Sequence, residues 1–250
     1  MSITSFSFTN IENLWSIPNS NDIGGAHQGI STDGSHFYET NSTGLVKRDL
    51  SGNIVSSTID MNALWDGEPM TSNGNPTFHD GHLYIPLYKS SPHRSVVVKI
   101  DPSDLSFVEK WDLTENFTYS LNGIVFWNGY WYIAEATPST ATPTIKVFNP
   151  DFTYNKVAYT SPVSFNLGYQ GSALFRNTMV VTDHNGNFLM FKQNEDLTVT
   201  LIDTYDSGMS DSQGVCFLKN DIVYGDRGNF MKRANMRIIR GQGESKVLFI

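Results

Sequence analysis

The sequence contains a single cysteine, Cys216, among its 250 residues. An intrachain disulfide is therefore excluded, and the fold gains no stability from an oxidising compartment. Cys216 lies in the segment Gly-Val-Cys-Phe-Leu. This apolar surrounding predicts a buried, unreactive thiol rather than a nucleophile.

Charged residues are also scarce: they make up 17% of the chain, and acidic residues outnumber basic ones by 25 to 17. The resulting net charge of −8 argues against a nucleic-acid partner. Aromatic residues, by contrast, make up 13%, which indicates a well-packed chain rather than a disordered one.

Long hydrophobic runs are absent as well, so no membrane span is predicted. The start Met-Ser-Ile-Thr-Ser-Phe lacks the basic residues and the apolar stretch of a signal peptide. We therefore expect a cytoplasmic protein by default. A phage- or virion-associated protein, or one exported without a signal, is the alternative.

What the sequence does contain is a repeat. A side-chain amide followed by glycine or proline recurs five times, and successive amides are 43 to 48 residues apart. The five amides are Gln28, Asn75, Asn122, Gln170 and Gln213. A nearly constant period of this length indicates a repeat architecture.

Each repeat has the pattern of four short β-strands. In the first repeat the predicted strands are 27–32, 36–41, 45–50 and 54–61, with an Asp33-Gly34 turn after the first. The other repeats start near 75, 122, 170 and 213 and follow the same pattern, but the last has no evident fourth strand.

Four antiparallel strands form one blade of a β-propeller, so residues 1–250 are predicted to be a single all-β domain, a five-bladed β-propeller. A solenoid also has repeats, but its coils are shorter and lack these hairpins. The ring must close by strand sharing between the termini, because an open ring leaves an unpaired edge. The alternating segment 5–9 is favoured as the closing strand over 246–250.

In a propeller the first strand of each blade starts at the face where the second strand ends. We call this the funnel face, and loops on such a rigid scaffold commonly carry function. It is expected to gather the five amides with a second set of residues at the strand-two ends: Glu39, Tyr88, Glu135, Asp183 with His184, and Asp226 with Arg227. Trp65, on the connection between the first two repeats, is expected over this face, either stacked on a ligand or packed onto the sheet.

The amides allow two interpretations. They bind a ligand, or they hydrogen-bond neighbouring backbones and set the spacing of the blades. The acids favour a site more strongly, because carboxylates converging in a partly buried funnel have raised pKa values unless they are paired or metal-bound. Arg227 or a cation would supply that pairing.

The candidate catalytic residues are therefore Glu39, Asp183 and His184, with His27 as a second proton carrier. The candidate metal ligands are Glu135, Asp183 and Asp226, because carboxylate and amide oxygens suit a hard cation such as calcium. No cofactor is required by the sequence. His79 and His82 flank a turn on the opposite face, where no third zinc ligand is visible.

The first repeat, from His-Gln-Gly-Ile-Ser to Phe-Tyr-Glu-Thr-Asn, resembles the plant and bacterial glutamine cyclotransferase (glutaminyl cyclase) family. That family has five blades, a Gln-Gly at the start of the first blade, and a glutamate about ten residues later. The resemblance implies Glu39 as general acid/base and Gln28 as the residue that orients an N-terminal glutamine for cyclisation. The pocket tryptophans of the family have no match, since Tyr88 and Leu121-Asn122 occupy those places.

The segment Asn122-Gly123-Ile-Val-Phe is also similar to the senescence marker protein and gluconolactonase propellers, which bind a divalent cation but have six blades. Three functions follow from these patterns. The first is a recognition or assembly module that binds a small polar molecule, a glycan or a partner protein. The alternatives are a glutaminyl-cyclase-like enzyme and a cation-dependent lactonase or esterase.

Overall fold

The computed structural model describes residues 3–16, 27–42, 44–58, 70, 72–164, 167–207, 212–226 and 230–240. These residues form β-strands joined by turns, with a single 3-10 helix at Thr114–Asn116. None of the described residues forms a helix long and apolar enough to cross a membrane.

The strands form five antiparallel sheets, and each sheet is one blade. Blade 1 consists of β2 (His27–Thr32), β3 (His36–Asn41), β4 (Leu45–Asp49) and β5 (Ile54–Thr58). Blade 2 consists of β6 (Ser72–Asn73), β7 (Thr77–His79), β8 (His82–Ser90), β9 (His93–Ile100) and β10 (Phe107–Asp112). Blade 3 consists of β11 (Ser120–Trp127), β12 (Tyr130–Ala136), β13 (Thr144–Phe148) and β14 (Tyr154–Thr160).

Blade 4 consists of β15 (Tyr169–Phe175), β16 (Thr178–Asp183), β17 (Asn187–Gln193) and β18 (Val199–Asp206). Blade 5 consists of β19 (Ser212–Leu218), β20 (Asp221–Asp226), β21 (Phe230–Arg240) and β1 (Ile3–Ser16). The first strands of consecutive blades contact one another around an axis, and β19 contacts β2 to complete the circle. The prediction of a five-bladed β-propeller is confirmed.

The N-terminal strand closes the ring. β1 pairs antiparallel with β21, with Phe6 opposite Ile238 and Phe8 opposite Met236. Phe8 is buried and its ring lies 4.9 Å from that of Phe188, so β1 is held by side chains as well as by its ladder. Strand sharing between the termini is therefore confirmed, and the segment 5–9 takes part in it. The alternative closing segment, 246–250, lies outside the described residues.

The hydrophobic core is divided among the seams between blades. Each of the five clusters of buried apolar side chains joins two neighbouring blades. The seam between blades 5 and 1, which we call the closing seam, contains Ile30, Phe37, Cys216, Val223 and Met231. Because each sheet covers its neighbours, the ring has to be complete for every blade to be buried.

Blade 2 departs from the predicted pattern. Its first strand, expected to start near residue 75, begins at Ser72 and is split into β6 and β7 by Gly74, Asn75 and Pro76. Proline has no N–H to donate to the ladder, and Asn75 instead forms a parallel bridge with Gly123 of blade 3. The break places Asn75 at the axis.

Candidate functional site

A β-bulge in blade 1 extrudes the first amide. His27 pairs with Asn41 and Gly29 pairs with Thr40, so Gln28 has no partner residue in the ladder. A bulged residue is turned out of the regular alternation of the strand, and bulges commonly re-aim a side chain. Gln28 is half-buried, and its Oε1 accepts a hydrogen bond from Ser72 Oγ of blade 2 at 3.3 Å.

Blades 3 and 4 have the same bulge. The ladder skips from Leu121 to Gly123 in blade 3 and from Tyr169 to Gly171 in blade 4. The extruded residues are Asn122 and Gln170, and Asn122 Nδ2 donates to Gln170 Oε1 at 3.4 Å. We call Gln28, Asn122 and Gln170 the bulged amides. Gln28 and Asn122 are half-buried at the funnel face, whereas Gln170 is 5% exposed and its Nε2 donates to the carbonyl oxygen of Leu167.

Asn75 has a different role. It is fully buried, and its Oδ1 accepts hydrogen bonds from the backbone N–H groups of Ile30 at 3.0 Å and Val215 at 2.9 Å. Its Nδ2 donates to the carbonyl oxygen of Ser172 at 2.8 Å. One side chain of blade 2 therefore ties together blades 1, 4 and 5 at the axis.

Gln213 also differs from the bulged amides. It stays in its ladder opposite Gly225, and the residue that the ladder skips is Gly214, whose φ is +72°. The side chain of Gln213 is buried, and the backbone carbonyl oxygen of Gln213 lies 3.0 Å from His27 Nε2 of blade 1. The five amides are thus equivalent in sequence but fall into two structural classes. Gln28, Asn122 and Gln170 are extruded by a bulge, whereas Asn75 and Gln213 are not.

The glycines beside the amides are needed because the inner strands of neighbouring blades approach one another closely at the axis. A Cβ atom on Gly29 would lie 2.3 Å from the Cα of Asn75, and one on Gly214 would lie 2.5 Å from the Cα of Gly29. Both distances are far shorter than any van der Waals contact between carbon atoms. The first strands therefore touch at this level, and only glycine fits there.

The carboxylate of Glu135 is held within blade 3. Its Oε1 accepts from the N–H of Tyr119 at 3.2 Å, and its Oε2 accepts from Thr144 Oγ1 at 2.6 Å. Lys146 Nζ lies 3.7 Å from Oε2 and 4.4 Å from the ring centre of Phe117. Burial lowers the pKa of Lys146, although Glu135 opposes this. Glu135 is 3% exposed, so it lies behind the funnel face as one half of an ion pair.

Asp183 caps the turn after β16. Its Oδ1 accepts from the N–H groups of Asn185 at 2.9 Å and Asn187 at 2.8 Å, and its Oδ2 accepts from Asn187 Nδ2 at 2.9 Å. Burial raises the pKa of Asp183, and the hydrogen bonds from Asn187 and Asn185 reduce that rise. His184 follows it and is half-buried.

Glu39 requires a correction. It was expected at the end of the second strand, but β3 continues to Asn41, and Glu39 pairs with Ile30 inside the ladder. Its Oε1 lies 3.2 Å from His27 Nδ1 and its Oε2 accepts from Arg48 Nε at 2.8 Å. Burial raises the pKa of Glu39, but His27 and Arg48 outweigh it, and the pKa is lowered.

The residue that sequence analysis missed is Asn41. In register it matches Glu135 and Asp183, because each of the three pairs with the residue two positions before the glycine of its repeat. Asn41 is 1% exposed, and neither its Oδ1 nor its Nδ2 has a hydrogen-bond partner. Counting back from the glycine and across the hairpin would have identified it.

The remaining predicted residues have these positions. Tyr88 pairs with Ser72, is half-buried, and its ring centre lies 6.0 Å from that of His93. Asp226 ends β20 opposite Ser212, but its side chain is outside the described residues, as are Trp65 and Arg227 altogether.

The proposed metal ligands are not brought together where the structure describes them. Glu135 and Asp183 belong to different blades, and each carboxylate is hydrogen-bonded within its own blade. Within the described ranges no group of three or more His, Cys, Asp or Glu side chains could hold a metal ion.

Comparison with known proteins identifies the fold but no family. No protein-family model and no curated protein matches the chain. Glutaminyl cyclase of Myxococcus xanthus has a similar structure, with a TM-score of 0.65 and 12% identity over 92% of this chain and 97% of that chain. The resemblance to the glutaminyl cyclase propellers is thus confirmed for the architecture.

Two further solved structures share this architecture. A protein of unknown function from Bacteroides caccae gives a TM-score of 0.56 and 10% identity over 85% of this chain and 74% of its own. A putative oxidoreductase (glucose dehydrogenase) from Thermus thermophilus gives 0.54 and 10% over 91% and 100%. At such low identity these similarities concern the fold alone.

Proposed function

We propose that this protein is a recognition propeller that binds a neutral polyhydroxylated ligand, such as a glycan, at its funnel face. The observation that carries the proposal is the shared bulge of blades 1, 3 and 4, in which the extruded residue is each time a carboxamide. A carboxamide offers both donors and an acceptor, and hydroxyl groups of a sugar need both.

The charges near the funnel face support a neutral ligand. The Glu135 carboxylate has Lys146 as counter-charge, and the Asp183 carboxylate accepts three hydrogen bonds from Asn185 and Asn187. Carboxylates that are already satisfied offer little to a cationic ligand. Among the described residues of this face, the half-buried amides Gln28 and Asn122 are our candidates for recognition, with Tyr88 as an aromatic side chain at the same end of blade 2.

The geometry gives less support to a glutaminyl-cyclase-like reaction. A general acid/base has to reach the substrate and to exchange a proton near neutral pH. Glu39 is fully buried, both of its oxygens are engaged, and its pKa is lowered rather than raised. In this setting the Glu39 carboxylate stabilises the fold.

A glycan array followed by titration of the best hit tests the proposal. Gln28→Ala and Asn122→Ala should each weaken binding about threefold to tenfold, because each removes hydrogen bonds to the ligand. Asn220→Ala is the matched control, since Asn220 is an exposed amide in the turn after β19, at the opposite face.

Equal binding by all three variants and the wild type would contradict the site. Turnover of a glutaminyl peptide by the wild type, lost in Glu39→Gln, would favour the cyclase alternative instead.

A further inference from the structure

A cavity lies on the propeller axis at the face opposite the funnel face. Its volume is about 140 Å³, and every blade contributes to its wall. One residue from each blade, in chain order, is Ser31, Thr77, Phe126, Leu174 and Cys216. We call this the axial cavity. It is formed by the far ends of the same inner strands that carry the bulged amides, so it is separate from the proposed glycan site.

The wall of the axial cavity is aromatic with hydroxyl groups. Phe78, Phe126 and Phe217 line it and are half-buried. Ser31 and Thr77 add hydroxyl groups, and Ser31 Oγ accepts from the N–H of Phe78 at 3.0 Å, which leaves its own proton to donate. A wall of this kind suits an apolar ring that bears one polar substituent.

Among the described residues that line the axial cavity there is no Asp, Glu, Lys or Arg. The basic group among them is His79, which stacks on Phe126 with ring centres 4.0 Å apart, and burial lowers the pKa of His79. A charged ligand would lose its hydration here without gaining a counter-charge, so the cavity selects neutral molecules.

We propose that the axial cavity binds a neutral single-ring molecule with one hydroxyl group, of the benzyl alcohol class. The size supports this class, because an apolar protein cavity of about 150 Å³ is known to admit benzene.

The test compares benzyl alcohol with benzoate, which has the same ring but carries a charge. Differential scanning calorimetry measures the melting temperature in the presence of each compound, because a ligand that binds only the folded state protects it from thermal unfolding. Benzyl alcohol at millimolar concentration should raise the melting temperature of the wild type by about 2–4 °C, whereas benzoate should leave it unchanged. Equal effects of the two compounds, or no effect of either, would overturn the proposal.

Variants separate binding in the cavity from a general solvent effect. Thr77→Phe places a ring in the cavity and should abolish the protection by benzyl alcohol. Thr204→Phe, at an exposed position of β18, should leave the protection intact. If Thr77→Phe does not fold by circular dichroism, Thr77→Leu takes its place. Protection that persists in the filled variant would place benzyl alcohol elsewhere and refute the axial site.

Discussion

At the scale of single residues, Glu39 is the centre of a buried polar network beside the closing seam. It lies between His27 and Arg48, and His27 Nε2 faces the carbonyl oxygen of Gln213 in blade 5. Both ring nitrogens of His27 lie within hydrogen-bond distance of an oxygen atom. Arg48 in turn lies 5.6 Å from the ring centre of Trp15 in β1. This network joins the first blade to the last.

Replacement of Glu39 by glutamine should therefore destabilise the protein. The change leaves Arg48 buried without its counter-charge, and we expect a loss of about 3–5 kcal/mol in the free energy of unfolding. Glu12→Gln is the control, because Glu12 is exposed and 3.6 Å from Arg233, and an exposed pair contributes less than about 1 kcal/mol. Urea denaturation followed by circular dichroism measures both. An unchanged free energy of unfolding for Glu39→Gln is instead what a purely catalytic glutamate would show.

The same residue predicts a pH dependence. Because the folded-state pKa of Glu39 lies below its ordinary value of 4.5, its stabilising effect is complete above that value and is lost as the pH falls through the folded-state pKa. The difference in unfolding free energy between wild type and Glu39→Gln should therefore shrink as the pH falls below 4.5. A difference that stays constant over this range would show that the carboxylate charge is not what stabilises the seam.

The partners of Glu39 could not be predicted from the sequence. The predicted strand 36–41 ends at Asn41 as observed, but no local pattern shows that Glu39 lies between His27 and Arg48. The bulge at Gln28 has a sequence signal, the amide next to glycine. That signal does not reveal on which side of the strand the amide side chain lies.

At the scale of strands and turns, the sequence is more informative. The predicted strands 27–32 and 36–41 agree with β2 and β3, because an Asp-Gly turn fixes where one ends and the next begins. The first strand of blade 2 was not predictable in the same way. Its split depends on the bridge between Asn75 and Gly123, a contact with another blade that no local pattern encodes.

The contact of the inner strands predicts a strong effect for Gly29→Ala. The new Cβ would overlap the backbone of Asn75, and backbone cannot move aside as a side chain can, so we expect a loss of about 4 kcal/mol or more. Gly129→Ala is the control, since Gly129 has φ +89° but open space around it, and should lose about 1–2 kcal/mol. Equal losses in thermal denaturation would show that the inner strands can separate at little cost.

At the scale of the whole molecule, stability depends on closing the ring. The fold was predictable to this level because a period of 43 to 48 residues with four strands leaves few architectures, and an unpaired last blade requires a strand from a terminus. The structure adds that β1 is this strand and that Phe8 anchors it against blades 4 and 5.

Phe8→Ala should consequently cost about 3–5 kcal/mol, because it leaves a cavity in the seam between the last two blades. Ile11→Ala in the same strand should cost less than about 0.5 kcal/mol, since Ile11 is 55% exposed. Chemical denaturation of both variants checks this pair. Similar small losses would indicate that β1 is held by its backbone ladder alone.

Five amides with one sequence pattern divide into Asn75 and Gln213, which stay at the axis or in the ladder, and the bulged amides, at which we propose ligand binding. The most direct measurement is the unfolding free energy of Asn75→Ala beside that of Asn122→Ala. Asn75→Ala leaves the buried N–H groups of Ile30 and Val215 without an acceptor, so a loss of about 3 kcal/mol or more is predicted. Asn122→Ala, at a bulged position, should lose about 0.5 kcal/mol or less. Equal losses for the two variants would contradict the division and, with it, the proposed site.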